Sequence, residues 1–222
     1  MPTPMEILAG LAETAQRFGY AAVLWHLAIF GLVVALVAGW RPSMRTAATM
    51  LVAPLVSVAA LALVMWSPFN AAVFSVVAWL TLAIGWRFGS NDVQIGKRWQ
   101  IIAGTITIAF GWFYPHFVDS DSPVSYFYRA PTGLLPCPTL ALVIGFSVLF
   151  AGFGSPAWSM TLAIVGLFYG LFGAFRLGVR IDLVLGVGAL ALAVVAIEEQ
   201  HRRTSTKTRT HERFAAKAQI MH

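Results

Sequence analysis

Seven apolar runs constrain the fold of this chain more than any other feature. They cover residues 19–40, 46–66, 69–87, 99–117, 134–152, 156–175 and 180–197. Each run is close to the roughly 20 residues that an α-helix needs to cross the hydrocarbon core of a bilayer. Apolar residues make up 59% of the chain and charged residues only 11%, an excess that a soluble core of this size cannot bury. The sequence therefore predicts an all-α, polytopic membrane protein with a bundle of about seven transmembrane helices.

A short amphipathic segment, residues 1–18, precedes the first run. Thr3, Pro4 and Glu6 have the spacing of a capped helix start, with Thr3 as the cap and Glu6 closing a capping box. Apolar residues at helical spacing follow on one face. The segment is predicted to be an interfacial helix that lies along the membrane surface. Residues 19–197 then form the transmembrane bundle, and residues 198–222 form a basic tail.

The distribution of Lys and Arg predicts the orientation. By the positive-inside rule, the chain is expected in a bacterial inner membrane with its N-terminus outside and its C-terminus in the cytoplasm. The inner side then carries Arg41, Arg45, Arg87, Lys97, Arg98, Arg202, Arg203, Lys207, Arg209, Arg213 and Lys217. The outer side carries Arg17, Arg129, Arg176 and Arg180. The tail is predicted to be disordered at its start and to contact anionic lipid, and no nucleic-acid partner is expected.

The longest polar interruption, residues 114–139, ends in Pro136-Cys137-Pro138-Thr139. Two prolines remove two amide donors, and Pro138 disfavours helical geometry at Cys137, so we expect a rigid, partly unwound helix start. Cys137 is the only cysteine, which excludes an intrachain disulfide. Near a helix N-terminus, its thiol is a candidate nucleophile or metal ligand, whereas a lone buried cysteine more often acts as a small apolar residue.

Histidines extend the set of candidate ligands. His26 falls within the outer half of the first run, where an ionisable group is costly and indicates function. Haem or metal ligation or a proton relay competes here with a neutral imidazole hydrogen-bonded to a neighbouring helix. His116, Asp119 and Asp121 follow the fourth run and, with Cys137, offer ligands suited to copper or zinc. No pair has a metal-site spacing, and a solvated loop also explains the two aspartates.

Small residues repeat at helical spacing in the sixth run. Gly166, Gly170 and Ala174 form a stripe that allows close helix approach. We interpret it as a packing face within the bundle, with a homo-oligomer or a membrane-complex partner as the alternative.

Charged and polar residues also mark the ends of individual runs. Asn70 opens the third run and is a candidate for a solute path. Arg176 or Arg180 is predicted to pair with Asp182 between the sixth and seventh runs, which is more often a structural device than a substrate site.

The segment Gly133-Leu134-Leu135-Pro136-Cys137-Pro138-Thr139 resembles the G-x-PCPT signature of bacterial membrane proteins catalogued as domain of unknown function 6064, and Tyr114-Pro115 matches a preceding Tyr-Pro pair. Weaker similarities lie at Tyr20 and Trp25, at Pro68, Asn70 and Ala71, and at Leu177-Gly178 and Asp182-Leu183. The chain departs from the family at Ala21, where Asn is frequent, and at His26, where Pro is frequent. The resemblance covers nearly all of the chain except the tail. It implies a helical membrane fold and no established activity, although members are labelled permeases.

Three function classes follow. The chain has no phosphate-binding loop, HExxH helix or nucleophile elbow, which argues against several enzyme classes. The first hypothesis is a permease-type transporter of a small solute or ion. The alternatives are a metal- or redox-linked protein using Cys137, His26 and His116, and a non-catalytic accessory subunit of a membrane complex. The candidate binding residues are His26, Asn70, Tyr114, His116, Pro136, Cys137, Pro138 and Thr139.

Overall fold

The computed structural model of the chain describes residues 3–117 and 122–220. Its α-helices in chain order are α1 (Pro4–Arg17), α2 (Gly19–Val37), α3 (Met44–Val64), α4 (Pro68–Gly85), α5 (Arg98–Trp112), α6 (Tyr126–Arg129), α7 (Pro136–Leu149), α8 (Pro156–Leu171) and α9 (Leu183–Ile220). The 3-10 turns are Pro123–Ser125, Ala151–Gly154 and Arg180–Asp182, and the π-helical turn is Phe172–Arg176. No strand occurs in these two ranges, so the all-α prediction is confirmed.

Five of the described segments are long and apolar enough to cross a bilayer. They are Gly19–Val37, Met44–Val64, Pro68–Gly85, Pro156–Arg176 and Arg180–Ser205. The chain is therefore a multi-pass membrane protein. The predicted number of about seven is not confirmed, because α5 has 15 residues and α7 has 14. At 1.5 Å per residue, α7 spans about 21 Å, which is less than the ~30 Å of the hydrocarbon core.

Helix α7 is the centre of the bundle. All of its residues from Pro138 to Val148 are buried, and α3, α5, α8 and α9 pack around it. Its contact with α5 is unusually close because glycines replace side chains on both helices. A Cβ atom on Gly104 would lie 2.7 Å from the carbonyl oxygen of Gly145, and one on Gly111 would lie 2.6 Å from that of Pro138. The close approach holds the two short helices together by backbone packing.

Hydrogen bonds hold the helix ends together in two groups. At one end, which we call the basic end, Met44 N–H donates to the Asn91 carbonyl (2.8 Å) and Gly96 N–H donates to the Leu149 carbonyl (2.9 Å). At the other end, which we call the cavity end, the Tyr114 hydroxyl after α5 bonds to Asp182 before α9. Helices α5 and α7 therefore run between the same two ends as the longer helices.

The N-terminal helix has the predicted start. Thr3 caps α1, and Glu6 closes the capping box by accepting from the Thr3 amide at 2.7 Å. Hydrogen bonds from the backbone N–H and then the hydroxyl of Thr3 lower the pKa of the exposed Glu6 carboxyl. This stabilisation of the helix start is present above the ordinary pKa of Glu and is lost as the pH falls through the lowered value.

The prediction that the tail is disordered at its start is wrong, because α9 continues without a break from Leu183 to Ile220. Ion pairs hold the turns that follow the apolar part. Lys97 Nζ lies 2.7 Å from Glu198 and Arg202 lies 3.2 Å from Glu199. Helix α9 therefore continues past the apolar run, and exposed ion pairs accompany its first charged turns.

Candidate functional site

One cavity of about 50 Å³ at the cavity end of the bundle is lined by five of the eight predicted binding residues: Asn70, Tyr114, Pro136, Cys137 and Pro138. We call it the Asp182 cavity. Its polar lining consists of Asn70, Tyr114, Cys137, Tyr169 and Asp182, which come from α4, α7, α8 and the segments flanking α5 and α9. Most of the remaining wall is apolar. This combination of an apolar wall with a few convergent polar groups is typical of small-molecule sites.

Asp182 lies at the centre of the polar lining. Its side chain is 1% exposed and accepts a hydrogen bond from the Tyr114 hydroxyl at 2.8 Å, and the Cys137 side chain lines the same cavity. The predicted ion pair with Arg176 or Arg180 is wrong, because no described Lys or Arg lies within ion-pair distance of Asp182. The 3-10 turn Arg180–Asp182 points Arg180 outward and Asp182 inward, so neighbours in sequence face opposite environments.

The end of α8 makes room for the Asp182 carboxylate. After Leu171 the helix widens into the π-helical turn, which places Gly173 directly against Asp182 Oδ2. A side chain on Gly173 would overlap that oxygen. π-helical turns are rare in proteins, and the single turns that do occur are often found at functional sites.

A second hydrogen bond crosses the lining between α8 and α4. The Tyr169 hydroxyl donates to Asn70 Oδ1 at 2.8 Å, and the Tyr169 ring packs edge-on against Phe74. Sequence reasoning did not identify Tyr169, and it assigned Asp182 to a surface pair. The sequence feature that could have identified both residues is that a polar side chain within an apolar run needs a hydrogen-bond partner.

The start of α7 differs from the expected unwound segment. Helix α7 begins at Pro136 as its first residue, so Cys137 and Pro138 lie in its regular first turn. The reason is that the first amides of a helix have no intrahelical acceptor, so proline loses no hydrogen bond there. Pro136, Cys137 and Pro138 all line the cavity, and Cys137 is partly exposed to it.

Thr139 has a structural position beside the cavity and does not line it. Its buried hydroxyl accepts from Gly133 N–H at 2.8 Å and donates to the Leu135 carbonyl at 2.6 Å. Gly133 has a φ of 76° and packs against the Trp25 ring, which leaves no space for a side chain. Thr139 therefore fixes the turn that presents the start of α7.

Replacing Thr139 with Val is expected to lower the free energy of unfolding by about 1–3 kcal/mol, because the buried Gly133 amide loses its acceptor. The check is thermal unfolding of the detergent-purified protein. Thr161→Val is the matched control, since the Thr161 hydroxyl bonds within its own helix at an exposed position. Equal melting temperatures for the two variants would contradict the role of Thr139.

His26 does not line the cavity. Its ring is 3% exposed, and both of its nitrogens face backbone carbonyl oxygens: Nδ1 lies 2.8 Å from that of Ala22 and Nε2 lies 3.1 Å from that of Trp112. The ring also packs edge-on against Trp112 at 4.9 Å. These contacts connect α2 to the end of α5, and neither nitrogen has an open position for a ligand.

The candidate metal ligands do not form a shared site. In the two described ranges, no group of three or more His, Cys, Asp or Glu side chains could hold a metal ion, so His26, His116 and Cys137 do not constitute a ligand set. His116 acts electrostatically on Asp182 without lining the cavity. Asp119 and Asp121 lie outside the described residues.

The stripe of small residues on α8 is buried inside the bundle. Gly166 faces Ile144 of α7 and Ala189 of α9, and Gly170 lies against the backbone of Gly186. Ala174 is also buried. The stripe therefore packs within the bundle, as predicted.

Comparisons of the chain with protein-family models, with curated proteins and with solved structures each found no match.

Proposed function

We propose that the protein is a multi-pass membrane permease that binds a small solute in the Asp182 cavity. The observation that supports this most directly is the convergence of Asn70, Tyr114, Cys137, Tyr169 and Asp182 on one partly enclosed space. The residues come from segments far apart in sequence, so the arrangement depends on the complete bundle. A buried carboxylate inside a membrane bundle is costly and is a functional hypothesis by default.

Breaks in the helices around the cavity support transport. Two irregular turns border the cavity, the π-helical turn at the end of α8 and the 3-10 turn before α9, and the regular first turn of α7 lies beside them. Membrane transporters commonly build their sites where helices are interrupted, because backbone groups and short side chains then become available to the solute. The G-x-PCPT resemblance, through which we propose membership of the domain of unknown function 6064, includes the first turn of α7 at the cavity.

The topology belongs to the same proposal. We infer seven passes, in which α5 and α7 cross together with the five longer helices. A short helix is tolerated where protein surrounds it, because the ends of its backbone are satisfied by neighbouring segments and not by lipid. The N-terminus is then outside and the basic end is cytoplasmic in a bacterial inner membrane. Ile7, Leu8 and Leu11 of α1 line the cavity, so solute from the outer phase passes beside α1.

Uptake into proteoliposomes tests the proposal. Labelled glycerol, urea, acetamide, methylammonium and acetate are offered separately to vesicles with the wild-type protein and to empty vesicles. We expect faster uptake of at least one solute, and we expect Asn70→Leu to reduce it at least about tenfold, because the unpaired Tyr169 hydroxyl and the lost amide together remove more than 1.4 kcal/mol of binding. Thr161→Val, at an exposed position on α8, is the control. Uptake equal to that of empty vesicles for all five solutes would contradict a permease for small solutes.

A further inference from the structure

The described lining of the Asp182 cavity contains an acidic side chain and no basic one. Among the described residues that line it, Asp182 is the only charged side chain. The Tyr114 hydroxyl that bonds to its carboxylate is a neutral donor, and no described Lys, Arg or His side chain lies within ion-pair distance of it. His116 acts on it only from outside the lining. A buried charge without an opposite partner is strongly unfavourable, and a cation in the cavity would relieve this cost.

Aromatic rings form much of the remaining wall. Tyr114, Phe117, Tyr169 and Phe172 all line the cavity. The faces of such rings attract cations, and rings combined with a carboxylate are a recurrent way to bind methylated ammonium groups. Leu8, from α1, adds an aliphatic surface that suits methyl groups. The wall therefore favours a cation with an apolar outside over a strongly hydrated one.

The size of the cavity limits its occupant. A volume of about 50 Å³ corresponds to roughly four water molecules, at about 10–15 Å³ each. Each water molecule has one non-hydrogen atom, so a solute with about four non-hydrogen atoms fits this space. A Ca²⁺ ion would need about six to eight oxygen ligands, whereas the lining offers only the oxygens of Asn70, Asp182 and two tyrosines besides the backbone.

We propose that the solute of the Asp182 cavity is a small methylated ammonium cation, in the size range from methylammonium to trimethylammonium. The positive charge binds against the Asp182 carboxylate, and the methyl groups pack on the aromatic and aliphatic wall. The assignment rests on the proposed permease function and specifies its substrate class.

Uptake of radiolabelled methylammonium by proteoliposomes at pH 7 tests the assignment. With the wild-type protein, we expect uptake above that of empty vesicles. Unlabelled dimethylammonium and trimethylammonium should compete, whereas neutral acetamide, which is similar in size, should not. Asp182→Asn should lower the protein-dependent rate at least about tenfold, as expected when a charged partner is removed from a desolvated pair. Thr161→Val should leave the rate unchanged.

The outcomes separate the two proposals. Uptake of acetamide or urea with no protein-dependent uptake of methylammonium would overturn the cation assignment and keep the permease. No protein-dependent uptake of any solute would overturn both. Competition by acetamide equal to that by dimethylammonium would also overturn the cation assignment. This competition uses the wild-type protein alone, so it decides the question even where Asp182→Asn fails to fold.

Discussion

Gly173→Ala is expected to reduce solute uptake at least about tenfold and to lower the free energy of unfolding by about 1–3 kcal/mol, because the new methyl group overlaps the Asp182 carboxylate. In an ordinary helix the same change would stabilise by up to about 1 kcal/mol, since Ala has the higher helix propensity. A loss of stability in Gly173→Ala, where helix propensity alone predicts a gain, would therefore indicate the close contact between Gly173 and Asp182. Uptake and thermal unfolding are measured on the same purified protein.

Two further variants make the Gly173 prediction specific. Gly186→Ala is the matched control, because a Cβ atom there meets no other atom within 4 Å although Gly186 also lies near the start of α9. In an Asp182→Ala background, the additional change Gly173→Ala should cost little, because the oxygen that it displaces is gone. Additive losses of stability in the double variant would show that the two residues are not in contact.

Gly145→Leu is expected to prevent folding, and Gly145→Ala is expected to cost about 1–3 kcal/mol. A Cβ atom on Gly145 would lie 2.7 Å from the backbone nitrogen of Ile108 and 2.8 Å from the carbonyl oxygen of Gly104. Both neighbours are backbone atoms, which cannot rotate away as a side chain would. The central helix α7 would have to separate from α5, which would open the middle of the bundle.

The α2 helix provides the control for Gly145. A Cβ atom on Gly31 meets no other atom within 4 Å, so Gly31→Ala and Gly31→Leu should be neutral or slightly stabilising. Fluorescence-detected size-exclusion chromatography after heating compares all four variants in detergent. A Gly145→Leu protein that elutes as a single folded peak and melts with Gly31→Leu would contradict the close packing of α5 and α7.

The helices could be predicted from hydropathy, and their ends could not. A lipid-facing helix needs about 20 apolar residues, and each predicted run does contain a helix. Helices α5 and α7 end early, at breaks that consist of apolar residues: Phe113 caps α5, and Ala151 and Phe153 after α7 have positive φ. Hydropathy does not distinguish an apolar residue inside a helix from one in a turn, so the lengths of these two helices were overestimated.

The candidate site was predicted in part. Asn70 stood out as a polar residue at the start of an apolar run, Cys137 through the Pro-Cys-Pro helix start, and Tyr114 through the Tyr-Pro pair of the family resemblance. All three line one cavity. Asp182 was assigned to a surface ion pair because Arg180 is close in sequence, whereas the 3-10 turn directs the two side chains to opposite sides. Which side of a turn faces the bundle depends on tertiary packing. Tyr169 was missed for the same reason, since its partner Asn70 is 99 positions away in the chain.

The reactivity of Cys137 tests most directly whether the Asp182 cavity is a solute site reached from the outer phase. Cys137 is the only cysteine of the chain and lines the cavity, so any thiol labelling reports this position. Spheroplasts are treated with an ethylammonium methanethiosulfonate or with its anionic ethylsulfonate counterpart, and the remaining thiol is counted by a gel shift. We predict labelling of Cys137 from outside, faster with the cationic reagent and slowed by methylammonium. A thiol that resists both reagents in spheroplasts and reacts fully after denaturation would contradict an outward-accessible solute site.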